Sequence, residues 1–170
     1  IRKAVSATYD FFSVNFMSYV NMRDPKLLKR NVALKNKYYG KRLFIFFTGT
    51  SAMNIQPEWF DGEYTMTTNY FVMHPKFERL KFDFFCVVDT WSHKTLSLLR
   101  WLHGLIYLKT ARGTKVFVSA SSHSIIKDVA GFRKEDTYYV SRSNSFSSAE
   151  DINIEIDRLG NVMDGGFFLI

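Results

Sequence analysis

Three short apolar runs break off at polar residues, and this pattern organises the chain. Leu43–Phe47 runs into Thr48-Gly49-Thr50-Ser51, Tyr64–Thr68 ends at Asn69, and Phe82–Val88 ends at Asp89. Apolar runs that do not alternate fit strands buried on both faces, as in a parallel sheet. Two further strands are expected, at 115–119 and 137–141. Between them the spacing predicts a helix from about Ser92 to Leu108, short helical turns near Pro57–Phe60 and 70–79, and a short helix over Ser124–Val129. Alternating strands and helices predict an α/β layered sheet with right-handed connections. Ligands of such sheets sit at the carboxyl ends of the strands. A Thr/Ser/Gly loop, an Asn and an Asp are therefore expected along one edge.

The first 40 residues read differently. Val5, Tyr9, Phe12, Phe16 and Tyr19 recur at helical spacing. Asp24-Pro25 marks a helix start, and a second, basic helix is expected to run from Pro25 to about Tyr38, closed by Gly40. The organisation expected is thus a basic helical extension over 1–40 and a nucleotide-binding domain over 41–170. Residues 142–151 are Ser-rich and read as an exposed loop. Asp164-Gly165-Gly166 looks like a glycine loop before a helix. That helix would have only Phe167–Ile170, too little to be stable. The natural chain is therefore expected to continue past Ile170.

Charge sharpens this division. The net charge is +7 over 170 residues. Residues 1–42 hold ten Lys/Arg against Asp10 and Asp24, and the remainder holds thirteen Lys/Arg against fourteen Asp/Glu. The basicity belongs to the N-terminal segment, either as a solvated face or as a contact for phosphate or a membrane surface. No nucleic-acid motif accompanies it, and no nucleic-acid partner is expected. No run approaches the ~20 apolar residues of a membrane span. The single cysteine, Cys86, sits inside an apolar run, reads as a small core residue and points to the reducing cytoplasm.

Each candidate for chemistry has an ordinary alternative. Thr48, Gly49, Thr50 and Ser51 could cradle a phosphate, yet the loop is neither a Walker loop nor G-x-G-x-x-G, and an ordinary turn would look the same. Asn69 could meet a base or ribose, or simply end a strand. Asp89 could bind a sugar or a metal, or cap the next helix. His74, His93, His103 and His123 are scattered, and no spacing among them marks a metal site or selects a catalytic base. No metal and no bound cofactor is expected.

In combination these pieces resemble a known family. Lys35-Asn36-Lys37-Tyr38-Tyr39-Gly40-Lys41-Arg42-Leu43-Phe44-Ile45, leading into Thr48–Ser51, resembles its opening: a basic helix, a first strand and a Gly-Asn-Gly-Pro-Ser-Leu loop. Thr67-Thr68-Asn69-Tyr70-Phe71 through His74-Pro75-Lys76-Phe77 resembles its second-strand asparagine and the loop after it. Phe82–Asp89 resembles its third strand with a terminal Asp, and Asp164-Gly165-Gly166 its later glycine turn. The family comprises bacterial sialyltransferases of surface glycans and related motility-associated transferases that modify flagellin. Within the first loop only Gly49 and Ser51 match; the family's Gly, Asn, Pro and Leu fall on Phe47, Thr48, Thr50 and Ala52.

The resemblance implies a Rossmann-like sheet of the GT-A type and a nucleotide-activated sugar, commonly CMP-sialic acid or a related nonulosonic acid. Transfer would go to a glycan or protein acceptor without a required metal. It implies Thr48, Gly49, Thr50, Ser51, Asn69, Gly165 and Gly166 on the nucleotide and Asp89 on the sugar or acceptor. It also implies a cytoplasmic protein whose basic N-terminus could meet the inner membrane. It implies no catalytic base within these 170 residues. The rivals are a non-catalytic scaffold on the same fold and a pterin pyrophosphokinase-like enzyme.

Overall fold

The computed structural model describes residues 24–87 and 96–140. Among them five strands form one all-parallel sheet: β1 Leu43–Phe46, β2 Tyr64–Thr68, β3 Phe84–Val87, β4 Lys115–Ser119 and β5 Thr137–Val140. They lie in the order β1-β2-β3-β4-β5. The α-helices are α1 Pro25–Leu28, α2 Phe77–Leu80, α3 Leu96–Lys109 and α4 His123–Ile126, with 3-10 turns between them. A five-stranded parallel sheet flanked by helices is thus what the expected α/β pattern builds.

Order and register decide how the layers are filled. Phe46, Thr67, Phe85, Val116 and Thr137 form one row across all five strands. Val87, Val118 and Tyr139 form the next row on the same face. Against this face pack Phe71, Val72, Phe77, Leu80, Leu102, Ile106 and Ile126, all supplied by the connections between strands. Right-handed crossovers taken in sequential order must all fall on one side of the sheet, and they do. The opposite face carries Met66, Phe84, Cys86, Phe117, Tyr138 and Val140, and on it sit Leu34 and Tyr38 from the segment before β1. Every residue of β3 and β5 is buried, as the unalternating apolar runs predict.

The two flanks of the sheet are treated differently. On the β5 flank, the Arg30 guanidinium donates to the carbonyls of Lys134, Glu135 and Thr137, and Asn31 Nδ2 donates to Tyr139 O at 2.8 Å. Among the described residues β5 is an edge strand, and two of its alternate carbonyls, Thr137 O and Tyr139 O, are thereby met by side chains. Arg30 also lies over the Tyr138 ring, 4.6 Å from its centroid. Among the described residues β1 pairs only with β2.

Three expectations are corrected. The continuous basic helix over 25–38 is instead one α-helical turn followed by a 3-10 helix over Lys29–Leu34, and Asn36 turns left-handed with φ 61°. The tighter winding accompanies the reach of Arg30 and Asn31 to the β5 edge. These residues consequently take part in holding the sheet's β5 side, Asn31 from a buried position and Arg30 from an exposed one. Strand β1 stops at Phe46, and Phe47 is exposed beyond it. The helix before β4 extends to Lys109. Among the described residues no helix is long and apolar enough to cross a membrane.

Candidate functional site

The carboxyl ends of β1 and β2 bring together Thr48, Gly49, Thr50, Ser51 and Asn69. Thr48–Ser51 are exposed. The loop passes through Gly49 into a 3-10 helix over Thr50–Asn54, closed by Ala52 N–H on Gly49 O at 2.9 Å. Ala52 is buried in the core and anchors the loop from beneath. Gly49 has an ordinary φ of −63°, and a Cβ built there would meet only Ser51 Oγ at 3.8 Å. The fold itself does not demand glycine at this position. What glycine leaves open is a close approach to the backbone from outside.

Asn69 takes up a left-handed conformation, φ 47°, immediately after β2. Asn tolerates this region better than most residues because its short polar side chain can engage nearby groups. Here that engagement is missing at one atom: Oδ1 is buried and has no hydrogen-bond partner. Buried polar atoms without partners are rare in native structures. Thr67 Oγ1 donates to Phe46 O at 3.1 Å, tying the two strand ends together one residue inside the sheet.

Two residues that the sequence reading did not select complete this corner. Lys76 Nζ donates to Met53 O at 3.0 Å and Ile55 O at 2.8 Å, so the segment after β2 holds the loop after β1. His74 lies between them in the chain; Nδ1 accepts Lys76 N–H at 3.1 Å, and the ring stacks on Phe71. In the sequence His74 stands only as one of four scattered histidines, and His74-Pro75-Lys76-Phe77 only as part of the loop after the second-strand asparagine.

At the end of β4, Ser119 Oγ and Ser121 Oγ are 2.7 Å apart, and His123 Nδ1 lies 2.8 Å from the Tyr139 hydroxyl. Burial, with Lys127 adding, pushes the His123 imidazole below its usual range. Burial raises the Tyr139 phenol. His103 is inside α3, and burial pushes it down to about 4. Its Nδ1 lies 3.0 Å from Leu99 O, and its Nε2 has no partner.

Asp89, Gly165 and Gly166 lie outside the described residues. Among the described residues no cluster of three or more His, Cys, Asp or Glu side chains is arranged to hold a metal. A separate open groove of about 420 Å³, lined by Trp101, Leu105, Leu108 and Val129 among others, contains none of the candidate site residues. Comparison with protein-family models, with curated proteins and with solved structures finds no match to this chain.

Proposed function

We propose that the chain is a glycosyltransferase-like protein of Rossmann-like fold. It would bind a nucleotide-activated sugar, CMP-linked, at the carboxyl ends of β1 and β2 for transfer to a glycan or protein acceptor. The observation that carries this reading is Asn69: a left-handed strand-end residue whose buried Oδ1 has no partner, beside an exposed loop of hydroxyls. Support also comes from the parallel sheet, whose strand carboxyl ends are where such folds take ligands. A doubly wound sheet reverses its strand order; the described strands do not, so the Rossmann-like assignment rests on the resemblance.

In the reaction this implies, an acceptor hydroxyl oxygen forms a bond to the anomeric carbon as the bond from that carbon to the CMP phosphate oxygen breaks. The acceptor proton passes to a general base. Negative charge growing on the leaving phosphate would be met by the hydroxyls of Thr48, Thr50 and Ser51 and by backbone N–H groups near Gly49. Exposed Lys26, Lys29, Lys35, Lys37 and Lys41 ahead of β1 support contact with an anionic surface.

Titration calorimetry of the 170-residue chain with CMP, UMP, GDP and ATP tests this. Saturable binding of CMP, weakened at least ~10-fold by Asn69→Ala, is expected, the effect of losing one or two ligand hydrogen bonds. Metal-dependent binding of ATP instead would shift the reading to a pyrophosphokinase. No nucleotide binding at all would leave a scaffold.

A further inference from the structure

The turn after β2 holds two buried polar atoms without partners, Asn69 Oδ1 and His74 Nε2. The second has a definite chemical character. His74 Nδ1 accepts the backbone N–H of Lys76. A backbone amide only donates, so Nδ1 carries no proton and the proton of the neutral ring sits on Nε2. His74 therefore presents a donor, and Asn69 presents an acceptor. The imidazole is also fixed in place. Its plane lies 14° from that of Phe71, with centroids 4.7 Å apart, and Phe71 is buried in the core. One edge of the ring is bonded and one face is stacked, while Nε2 is buried without a hydrogen-bond partner. Lys76 acts twice in this corner, its backbone N–H setting the tautomer and its ammonium holding the β1 loop.

We propose that His74 is a ligand-binding residue of the strand-end site. It donates Nε2–H to a hydroxyl oxygen of a sugar ring, while Asn69 Oδ1 accepts from a ring hydroxyl. This rests on the nucleotide-sugar reading above. A sugar hydroxyl is both donor and acceptor, and so answers both orphan atoms. A phosphate oxygen at neutral pH is an acceptor only, and the negative end of the Asn69 amide dipole would repel it. The hydroxyls can come from the ribose or from the transferred sugar.

The test is imidazole ¹⁵N spectroscopy of the full chain, with His74 assigned by its absence in His74→Gln. The free protein should show His74 unprotonated at Nδ1 and protonated at Nε2. CMP-sialic acid should move the Nε2 resonance, and so should CMP if the ribose supplies the hydroxyls, whereas inorganic phosphate should leave it still. If the ribose is the source of the hydroxyls, 2′,3′-dideoxy-CMP loses the shift. If the transferred sugar is the source, only CMP-sialic acid produces it. His74→Phe keeps a ring against Phe71 and removes the donor. It should raise the Kd of the shifting ligand about tenfold, the worth of one neutral hydrogen bond. His74→Gln, which retains an N–H donor, should recover part of that loss. The amide spectrum of each variant reports whether it folds. Protonation at Nδ1 would overturn the proposal. So would ligand binding with unmoved His74 resonances and equal affinity in His74→Phe, an outcome that leaves the nucleotide site standing. Failure of CMP and CMP-sialic acid to bind the wild-type chain would remove both.

Discussion

His103 makes acid stability a direct measure of how dry the α3 core is. The side chain is 1% exposed and its Nε2 has no partner, so the ring is neutral where it sits. Burial lowers its pKa from 6.5 to about 4, partly opposed by the Leu99 carbonyl. In the unfolded chain the imidazole returns to its ordinary value. Between the two values the unfolded state binds a proton that the folded state refuses, and stability therefore rises with pH. The contribution is complete above about pH 6.5, shrinks as pH falls, and reaches its full penalty below about 4. The fall from 6.5 to about 4, at 1.36 kcal/mol per pH unit, gives about 3 kcal/mol as the upper size of this loss. His103→Leu removes the titrating group at similar volume. It also removes an unpartnered buried polar atom, while Leu99 O keeps its helical partner. At pH 7.5 the variant is expected to be as stable as the wild type or somewhat more so. Urea melts of both proteins from pH 7.5 to 4 isolate the effect, because carboxylates and the other histidines cancel in the difference. The variant should gain on the wild type by an amount that grows through pH 6 and 5 to about 3 kcal/mol. A difference curve flat to within about 0.5 kcal/mol, the usual scale of neutral substitutions, would refute the buried neutral imidazole.

Asn31→Ala takes away the donor to Tyr139 O and should destabilise the protein by about 1–3 kcal/mol in urea melts. Val32→Ala, at an exposed position one residue on, should stay within about 0.5 kcal/mol. Equal effects of the two would mean that the β5 edge does not depend on this contact. Lys76→Met keeps the aliphatic stem and loses the bonds to Met53 O and Ile55 O. Hydrogen exchange at Ala52 and Ile55, whose N–H groups close the loop turns, should accelerate several-fold with little change in global stability. Unchanged protection there would show that the loop after β1 holds itself.

The sheet was legible because its signal is local. Phe84-Phe85-Cys86-Val87 can be apolar at every position only if both faces are covered, and all four residues are buried. The edge latch was not legible, because nothing in Lys29-Arg30-Asn31 shows that its partners lie more than a hundred residues further on. A basic stretch bounded by Asp24-Pro25 and Gly40 has the local features of a helix, and tertiary hydrogen bonds overrode that propensity in favour of a tighter winding. Asn69 was visible as a polar residue ending an apolar run. His74 and Lys76 were not, because their roles depend on a stacked ring and on carbonyls of another loop. The strand order was equally hidden, since hydrophobic pattern specifies strands but not their sequence across a sheet.

That order bears on where a ligand can sit. In a doubly wound sheet the crevice opens where the connections diverge to opposite faces. Here the connections between the described strands all pack on one face, so no such divergence opens among them. A site at the ends of β1 and β2 must then be made by its loops. Lys76 supplies one means: it fastens the β1 loop, at Met53 O and Ile55 O, to the segment following β2 that carries Asn69 and His74. Gly49 is consistent with this, since neither its backbone angles nor its neighbours require a glycine. The one thing its missing Cβ provides is room for something outside the chain to reach the backbone.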